Sequence, residues 1–441
     1  MHWINSIRAA KLSKRGEHAA ALALSRGRDV RVLSSAGMHL SVLRSRSPHP
    51  LEKAIALAHT GLQDEALHGL PAIPNLYKAR GLLGQLALYS PGRVLGAIGN
   101  RPEFADIRSY CEHILGCGKH SPESLATLPT GLGVYIALSN GWIGTAKRLF
   151  ERGFILKGLI PPSVDWEGGR LDLSSIRTGA LPAVDSPDLP LVSIVLTAYN
   201  EERYMGMAVS SVLKQTWPAI ELIIVDDGST DRTYEMAKQL ENIDHRVKAI
   251  RLPKNRGTWF AKNEGLKLAT GDFISMHDAD DWSHPQKIAL QLEPLLRDPG
   301  VMCSSSYLLR VSMASGLPFS RNAASFLRWN ACSLLYRREA LTNLGNYFMN
   351  LLGGDCEYAA RIETRWGAHS HRKIRMPLTI GWQRTDSLST RYRTKDRITC
   401  APLRLRHWEA WRQLHADWVA RRGRKSTFFS GYFPLEKFPY V

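Results

Sequence analysis

Hydrophobic positions in the first 165 residues recur at the spacing of amphipathic helices. Segments 51–70 and 131–154 are rich in alanine and leucine, and glycine or proline separates such stretches from one another. Residues that repeat every three to four positions share one helix face and favour packing of helix on helix. The pattern therefore predicts an all-α helical accessory domain over residues 1–165.

Two of these helical segments share a spacing pattern. In each, alanine follows a glycine by five residues and a large apolar residue follows four further on: Gly61, Ala66 and Leu70, then Gly141, Ala146 and Phe150. Helical hairpins of the tetratricopeptide type place a small residue in this way where two helices cross closely. Because the two matches are partial and have no fixed period, a plain helical bundle is an equal alternative.

Glycine and proline interrupt the periodic pattern over residues 166–190. The stretch contains Gly168-Gly169 and prolines at positions 182, 187 and 190. Such punctuation disfavours long regular elements and is typical of connecting segments. We therefore expect a linker here.

A different pattern covers residues 191–400. Residues 191–196 form a nearly continuous apolar run, as in a strand buried on both faces of a parallel sheet. Further apolar runs at 221–225, 247–252 and 272–276 alternate with helical segments. This alternation predicts an α/β domain with a doubly wound sheet, in which ligands bind at the carboxyl ends of the strands.

The last segment, residues 401–441, begins with a predicted amphipathic helix. Trp408, Trp411, Leu414 and Trp418 recur at helical spacing, and a basic run follows at 421–425. One interpretation is a helix that packs on the preceding domain. The other is an interfacial helix on an anionic membrane surface, with aromatic anchors and a basic flank.

Composition narrows the class of protein. The 441 residues include 58 Lys and Arg against 40 Asp and Glu, a formal net charge of +18, which favours anionic partners. The six cysteines include no C-x-x-C pair, and no apolar run reaches the roughly 18–20 residues of a membrane-spanning helix. We expect a cytoplasmic protein, with peripheral attachment to the inner membrane as an option.

Acidic clusters follow two of the predicted strands. Asp278-Ala279-Asp280-Asp281 places three carboxylates in one turn, and Asp226-Asp227 comes before a glycine. Carboxylates at strand ends repel one another unless a hard cation or hydrogen-bond donors neutralise them. A divalent cation that bridges protein and diphosphate would fit. Taken alone, such a turn is more often a helix cap or a solvated loop, but its position after a buried strand and before Pro285 favours the cation site.

The order of the motifs resembles that of inverting family 2 glycosyltransferases, which have the GT-A fold. The matching stretches are residues 193–202, 225–231, Asn255-Arg256-Gly257 with Ala261 and Asn263, 278–281, and Gly354-Asp355. Each stretch is common by itself, but five in this order and spacing are specific. The resemblance covers residues 191–392, a little under half of the chain.

The resemblance implies a nucleotide-sugar site. Thr197 and Tyr199 would flank the base and ribose, Glu201 would reach a ribose hydroxyl, Asp227 would accept from the base, and Arg256 would complete this set. Asp278 and Asp280 match the D-x-D motif. There Asp278 would face the ribose and Asp280 would bind Mn²⁺ or Mg²⁺, which neutralises the diphosphate leaving group.

The resemblance also implies a catalytic base at Asp355. Such a base removes the proton of the acceptor hydroxyl as it attacks the anomeric carbon, in a single displacement with inversion. Many family members carry glutamate before this aspartate, whereas this chain has Gly354. Glu357 is therefore a fallback candidate, and capping of the following helix is an alternative role for Asp355. We expect the base to be partly desolvated but not held in an ion pair.

The chain departs from processive synthases of the family. Their Gln-x-x-Arg-Trp motif is absent, and Gly381-Trp382-Gln383-Arg384 stands near its place. We therefore expect no polymer-extruding synthase. The basic loop with Arg384, Arg391 and Arg393 is either a cover for the diphosphate or a solvated loop.

Three functions remain after these observations. The first is a metal-dependent glycosyltransferase that moves a sugar from a nucleotide-sugar, with UDP expected, to a glycan or lipid-linked acceptor in surface polysaccharide synthesis. The second is a nucleotide-sugar-binding scaffold with degenerate catalysis that recruits partners through its helices. The third, nucleic-acid binding, is disfavoured because the basic residues are scattered and no recognised module is present.

Overall fold

The computed structural model describes residues 2–15, 17–25, 29–45, 48–179, 181–349, 352–385, 387 and 402–422. The first part of the chain is helical. Its α-helices are α1 (His2–Lys14), α2 (His18–Ser25), α3 (Val30–Ser35), α4 (His39–Leu43), α5 (Pro50–His59), α6 (Gln63–His68), α7 (Arg80–Ala87), α8 (Pro91–Ile98), α9 (Ala105–Ile114), α10 (Thr130–Ser139) and α11 (Ile143–Ile155).

The glycine and alanine pattern has a physical explanation in two helical hairpins. Gly61 lies between α5 and α6 and Gly141 between α10 and α11, with φ of 92° and 73°. Glycine adopts this left-handed conformation without a steric penalty, so it ends one helix and turns the chain into the next. Ala66 and Ala146 are fully buried where the second helix of each pair begins.

The stretch predicted as a linker contains most of a small antiparallel sheet. Strands β1 (Ser163–Asp165) and β2 (Asp172–Arg177) pair with each other. Leu173 and Ile176 of β2 are buried in one apolar cluster with Phe150 of α11. The short alternation of apolar and polar residues in β2 decides the local structure here, although glycine and proline surround it.

One nine-stranded sheet organises the rest of the described chain. Its elements in chain order are β3 (Val192–Ala198), α12 (Met205–Leu213), β4 (Ile220–Asp226), α13 (Thr233–Ile243), β5 (Val247–Arg251), α14 (Thr258–Leu268), β6 (Phe273–Asp278), β7 (Asp281–Ser283), α15 (Lys287–Arg297), β8 (Cys303–Ser312), β9 (Pro318–Phe319), β10 (Leu327–Arg337), α16 (Arg338–Leu344), α17 (Gly354–Trp366) and β11 (His371–Gln383). The strand order is β5-β4-β3-β6-β10-β8-β11-β7, and β9 pairs with β8.

The parallel half of this sheet confirms the α/β prediction. Strands β5, β4, β3 and β6 are parallel neighbours, and apolar side chains cover both faces of β3 and β4. In register, Thr197 lies opposite Asp278, and Ala198 lies opposite Asp226. The polar clusters that follow these strands therefore meet at one edge of the sheet, as the strand-end rule requires.

The other half of the sheet is mixed and was not recognised from the pattern. Strand β10 is antiparallel to both β6 and β8, whereas β11 is parallel to β8. Strand β8 carries Ser304, Ser305 and Ser306, which are all fully buried. Three consecutive polar residues break the apolar run expected of a buried strand, which explains why the hydrophobic pattern missed it.

The C-terminal helix, α18 (Pro402–Arg422), packs on protein along its tryptophan face. Trp411 and Trp418 are buried in the same apolar cluster as Tyr358 and Ile362 of α17. On another side of α18, Glu409 accepts a hydrogen bond of 2.6 Å from the backbone N–H of Leu40 at the start of α4. Helix α18 thus joins α17 to the N-terminal helices, and the basic residues after 422 lie outside the described residues.

None of the helices in the described part of the chain is both long and apolar enough to cross a membrane.

A buried hydrogen-bonded triad of Glu357, Arg361 and His415 fixes α18 against α17. Glu357 accepts a hydrogen bond of 2.8 Å from Arg361 Nε and another of 2.8 Å from His415 Nε2, and all three side chains are almost fully buried. Arg361 also donates to the carbonyl oxygens of Leu344 and Asn346 at 3.0 Å. Buried charges persist only when partners satisfy them in this way.

We expect Arg361→Met to lower the free energy of unfolding by about 3–5 kcal/mol, because it leaves the Glu357 carboxylate buried without its main counter-charge. Arg297→Met is a matched control, since Arg297 forms the same i to i+4 pair with Glu293 on an exposed surface. That change should cost about 0.5 kcal/mol or less. Urea denaturation of both variants measures the difference, and equal costs would contradict the role of the triad.

Candidate active site

Two strand-end loops are fastened to each other at the carboxyl edge of the sheet. Asn200, after β3, has a φ of 55°, and its Oδ1 accepts a hydrogen bond of 2.9 Å from the backbone N–H of Thr230. Its own N–H donates to Ser229 Oγ at 2.9 Å. Asparagine tolerates the left-handed conformation better than most residues. These contacts position the 197–201 and 226–231 segments as one wall of a cleft.

Asp227 lies at the base of this wall and fastens the loop before α14. Its Oδ1 and Oδ2 accept hydrogen bonds of 2.8 Å each from the backbone N–H groups of Arg256 and Gly257. Burial raises the pKa of Asp227, and these two hydrogen bonds oppose the rise. Since both oxygens already accept from the loop, contact with a nucleotide base would have to use their remaining lone pairs.

The other predicted nucleotide-binding residues surround Asp227. Thr197 Oγ1 lies 3.3 Å from Thr258 Oγ1 at the start of α14. Tyr199 is 43% exposed. The Arg256 guanidinium lies 3.5 Å from the centre of the Phe260 ring, and its side chain is also exposed. An aromatic ring and a guanidinium plane thus stand at the surface beside the Asp227 loop, and both groups stack well on flat rings.

The acidic turn after β6 holds three carboxylates in different environments. Asp278 Oδ1 accepts a hydrogen bond of 2.9 Å from Cys332 Sγ in β10. Burial by itself would raise the pKa of Asp278, but Lys262 and the Cys332 hydrogen bond hold it below its usual value. Burial raises the pKa of Asp281 far above the usual range. Asp281 Oδ1 lies so close to Gly381 that a side chain at 381 would collide with it.

Arg384 connects the acidic turn to the loop after β3. Its Nη1 and Nη2 donate to both carboxylate oxygens of Glu201 at 2.8 and 2.7 Å, and its Nε lies 3.4 Å from Asp280 Oδ2. Burial raises the pKa of Asp280, while Arg384 opposes that rise. Glu201 is therefore engaged by an arginine and not directed to solvent, and Arg391 and Arg393 lie outside the described residues.

Asp355, the predicted base, is the second residue of α17, and its side chain does not cap that helix. Its Oδ1 accepts a hydrogen bond of 3.0 Å from Lys262 Nζ in α14, and its side chain is 20% exposed. Burial raises the pKa of Asp355, and the Lys262 ammonium works against this. The base candidate is thus partly desolvated, but the expectation of a base outside an ion pair is wrong, because α14 places the buried Lys262 ammonium beside it.

The Gly353-Gly354 pair before Asp355 is enclosed by two tryptophans. A Cβ at Gly354 would lie 2.9 Å from the Trp259 ring, and one at Gly353 would lie 2.7 Å from Trp408 Nε1. Gly353 also has a φ of 83°. The glutamate that many family members carry before the aspartate has no room here, because the Trp259 ring occupies its space.

The fallback base, Glu357, is excluded by its surroundings. It lies inside the triad with Arg361 and His415 and is fully buried. Arg361 and His415 together hold the pKa of Glu357 below its usual value, against the effect of burial. A carboxylate in this position has no access to an acceptor hydroxyl.

The residues at the acidic turn fit a divalent cation only together with a donor diphosphate. In the described residues no group of three or more His, Cys, Asp or Glu side chains is arranged to hold a metal ion. Asp280 supplies a hard carboxylate oxygen, and Mg²⁺ commonly binds to one or two carboxylates plus phosphate oxygens and water. The donor chemistry therefore suits Mn²⁺ or Mg²⁺, with Arg384 as the group that a cation must displace.

Several titratable residues of this cleft were not identified from the sequence. Four of them interact electrostatically with Asp278: Lys262, Cys332, Lys287 and Arg310. The sequence did contain an indication for Lys262. This lysine falls on the buried face of α14 together with Ala261, Gly265 and Leu266. A lysine within an apolar helical stripe is unusual unless a carboxylate pairs with it.

Comparison with known proteins shows which family the domain that contains the nine-stranded sheet resembles. Residues 193–318 match the model of Glycosyl transferase family 2. The chain carries a family 2 glycosyltransferase domain. Its mixed sheet, in which β5, β4, β3 and β6 are parallel, has the GT-A architecture expected from the motifs.

The curated relatives match only part of their length. The putative teichuronic acid biosynthesis glycosyltransferase TuaG of Bacillus subtilis is 38% identical over 120 residues, 27% of this chain and 48% of that protein. The chondroitin synthase of Pasteurella multocida is 38% identical over 125 residues, 28% of this chain and 13% of that one. The chain therefore spans about half the length of TuaG and much less of the synthase.

Similar solved structures include S. aureus TarS in complex with UDP-GlcNAc. Its sequence identity is 18%, its TM-score is 0.38, and the match covers 53% of this chain and 71% of TarS. A mannosyltransferase of Pyrobaculum calidifontis, 17% identical with a TM-score of 0.35, matches 72% of this chain and 90% of that one.

We expect Gly354→Ala to lower the free energy of unfolding by about 1–3 kcal/mol, because the added methyl group collides with the Trp259 ring. Gly96→Ala in α8 is the control, since a Cβ there meets no heavy atom of the described residues within 4 Å. That change should be neutral or stabilise by about 0.5–1 kcal/mol. Thermal denaturation compares the two, and a neutral Gly354→Ala would contradict the packing argument.

Proposed function

We propose that this protein is a metal-dependent inverting glycosyltransferase that moves a sugar from a UDP-sugar to a hydroxyl group of a glycan or lipid-linked acceptor. The observation that carries the proposal is the placement of Asp278 and Asp355. They come from β6 and α17, and Lys262 and Cys332 lie between them at the carboxyl edge of the sheet. A donor carboxylate and a base candidate thus share one cleft.

The donor would lie along the wall formed by the loops after β3 and β4. Tyr199 and Arg256 offer exposed flat groups for the base, and Thr197 and Asp227 supply polar atoms behind them. Glu201 lies beside Asp280 through their shared Arg384. We assign UDP as the nucleotide because of the family resemblance.

Asp280 would hold the Mn²⁺ or Mg²⁺ ion, which supplies charge neutralisation for the diphosphate when bound. Arg384 already contacts Asp280, so it would pass to the diphosphate oxygens when the donor and cation arrive. An arginine suits this transfer because its fork of N–H groups binds carboxylate and phosphate alike.

Asp355 would take the proton of the acceptor hydroxyl. As that oxygen forms its bond to the anomeric carbon, the bond from this carbon to the diphosphate oxygen breaks, and the electron pair leaves with the diphosphate. The configuration inverts because the acceptor attacks from the face opposite the leaving group. A carboxylate that is partly desolvated is a stronger base than one in bulk water.

A polysaccharide acceptor is proposed from the names of the curated relatives, which include a putative teichuronic acid biosynthesis enzyme and a chondroitin synthase. The formal charge of +18 favours work at an anionic surface, such as the cytoplasmic face of the inner membrane. The helices before residue 165 would serve the acceptor or a partner protein.

We expect Asp355→Asn to lower the rate of sugar transfer by at least a hundredfold, because amide groups do not accept the acceptor proton. UDP affinity should change less than threefold, since Asp355 does not belong to the proposed donor wall. Release of UDP with acceptor measures the rate, and calorimetry measures binding. Full turnover by the folded variant would refute Asp355 as the base. A wild-type protein that binds UDP but shows no turnover on any acceptor would favour the scaffold function.

We expect Mn²⁺ to tighten UDP binding at least tenfold, equivalent to about 1.4 kcal/mol, because the cation neutralises the diphosphate beside Asp280. Asp280→Asn should lose this gain, whereas Asp188→Asn, at an exposed position before β3, should keep it. Calorimetry with Mn²⁺ and with a chelator gives both affinities. Equal affinities for the wild type under the two conditions would refute the metal dependence.

A further inference from the structure

Lys262 is a buried lysine that none of the proposed catalytic steps uses. It lies on α14 and is 2% exposed. Burial of an ammonium group carries a large free-energy penalty unless charged or polar partners surround it. The contacts of Lys262 therefore show how its buried charge is stabilised.

The Lys262 ammonium lies between the donor side and the acceptor side of the cleft. Nζ is 3.0 Å from Asp355 Oδ1 and 3.7 Å from Cys332 Sγ, and it lies 4.7 Å from the centre of the Trp259 ring. Cys332 in turn donates to Asp278 Oδ1 at 2.9 Å. The position of Nζ is thus determined from several sides.

The titratable groups around Asp355 come from four helices or strands and one connecting segment. Lys262 of α14, Asp278 of β6, Cys332 of β10, Tyr347 before α17 and Arg404 of α18 all interact with it electrostatically. Lys262 is the opposing cation with the strongest effect and, among the described residues, the hydrogen-bond donor to this carboxylate. Arg404 contributes more weakly.

The protonation states of the pair support each other. Burial by itself would lower the pKa of Lys262, but Asp355 and Asp278 outweigh it and raise this pKa above the usual value. Burial raises the pKa of Asp355, and Lys262 counteracts that effect. The lysine therefore stays charged over the whole physiological range, and it favours the ionised form of the aspartate.

We propose that Lys262 is a positioning residue for the transfer reaction: it holds Oδ1 of Asp355, so that Oδ2 is the oxygen that receives the acceptor proton. This inference rests on the proposed function, in which Asp355 is the base. The pair has a further consequence. Lys262 offsets part of the rise in pKa that burial gives Asp355, so the carboxylate stays ionised until it takes the proton of the attacking acceptor hydroxyl.

The experiment compares the pH dependence of kcat for Lys262→Met and Lys262→Arg with that of the wild type. The acidic limb of this profile reports the base in the enzyme–substrate complex. Loss of the cation leaves the buried Asp355 with a higher pKa, so the limb of Lys262→Met should move up by at least one pH unit. Below the limb, activity relative to the plateau should therefore fall at least tenfold. Lys262→Arg keeps the charge, and its limb should stay within about 0.3 of a unit of the wild type.

A lysine with a merely structural role would give a different result. Lys262→Met would then lower kcat by the same factor at every pH, with the limb unmoved, and this outcome would overturn the proposal. The two inferences fail separately. If Asp355→Asn retains turnover, the base assignment is wrong; if Asp355→Asn is inactive while the Lys262→Met limb is unchanged, only the role of Lys262 is wrong.

A stability cycle keeps the proposal testable if Lys262→Met folds poorly. Each single variant, Lys262→Met or Asp355→Asn, leaves one charged partner buried and unpaired, whereas the double variant removes both. The double variant should therefore show a smaller loss of the unfolding midpoint than the sum of the two single losses. Strict additivity would show that the two side chains are not coupled and would overturn the proposal.

Discussion

The crowding of carboxylates at one edge of the sheet is the constraint on which the site depends. Glu201, Asp278, Asp280, Asp281 and Asp355 reach this edge from three separate stretches of the chain. Like charges so close together in a partly dry cleft repel one another unless cations stand between them. The fold supplies these cations from elements far apart in sequence: Lys262 of α14, Lys287 of α15, Arg310 of β8 and Arg384 after β11. The mixed half of the sheet thus has an electrostatic purpose in addition to its apolar packing.

These cations differ in how strongly the protein stabilises their charged forms. Burial lowers the pKa of Lys287 to about 8, because its neighbouring carboxylates only partly compensate. Lys262 and Arg310 are instead held more firmly in their charged forms by the acidic turn. Arg384 contacts the carboxylates of both Glu201 and Asp280. Together, the four cations offset the repulsion among the carboxylates at this edge of the sheet.

The helix that carries Asp355 is held in place by elements from both ends of the chain. The buried triad of Glu357, Arg361 and His415 joins α17 to α18, and Glu409 joins α18 to α4. Trp259 packs on Gly354 directly beside Asp355. The glycine that departs from the common family pattern is therefore part of a fitted contact. It does not by itself indicate a degenerate site.

The sequence by itself determined the parallel half of the sheet and the identity of the strand-end carboxylates. The apolar runs of β3 and β4 are long and continuous, and Asp227, Asp278 and Asp280 follow their strands directly, so local patterns were enough. Asp355 was singled out through its motif, and its place near Asp278 follows from the fold. The tertiary structure alone decided how these carboxylates are neutralised, which of Asp355 and Glu357 reaches the cleft, and where the tryptophan face of α18 packs. The reason is physical: the partners in these contacts lie tens to hundreds of residues apart, as with Lys262 and Asp355 or Glu409 and Leu40, and no periodicity along the chain records which distant charge will stand beside a buried one.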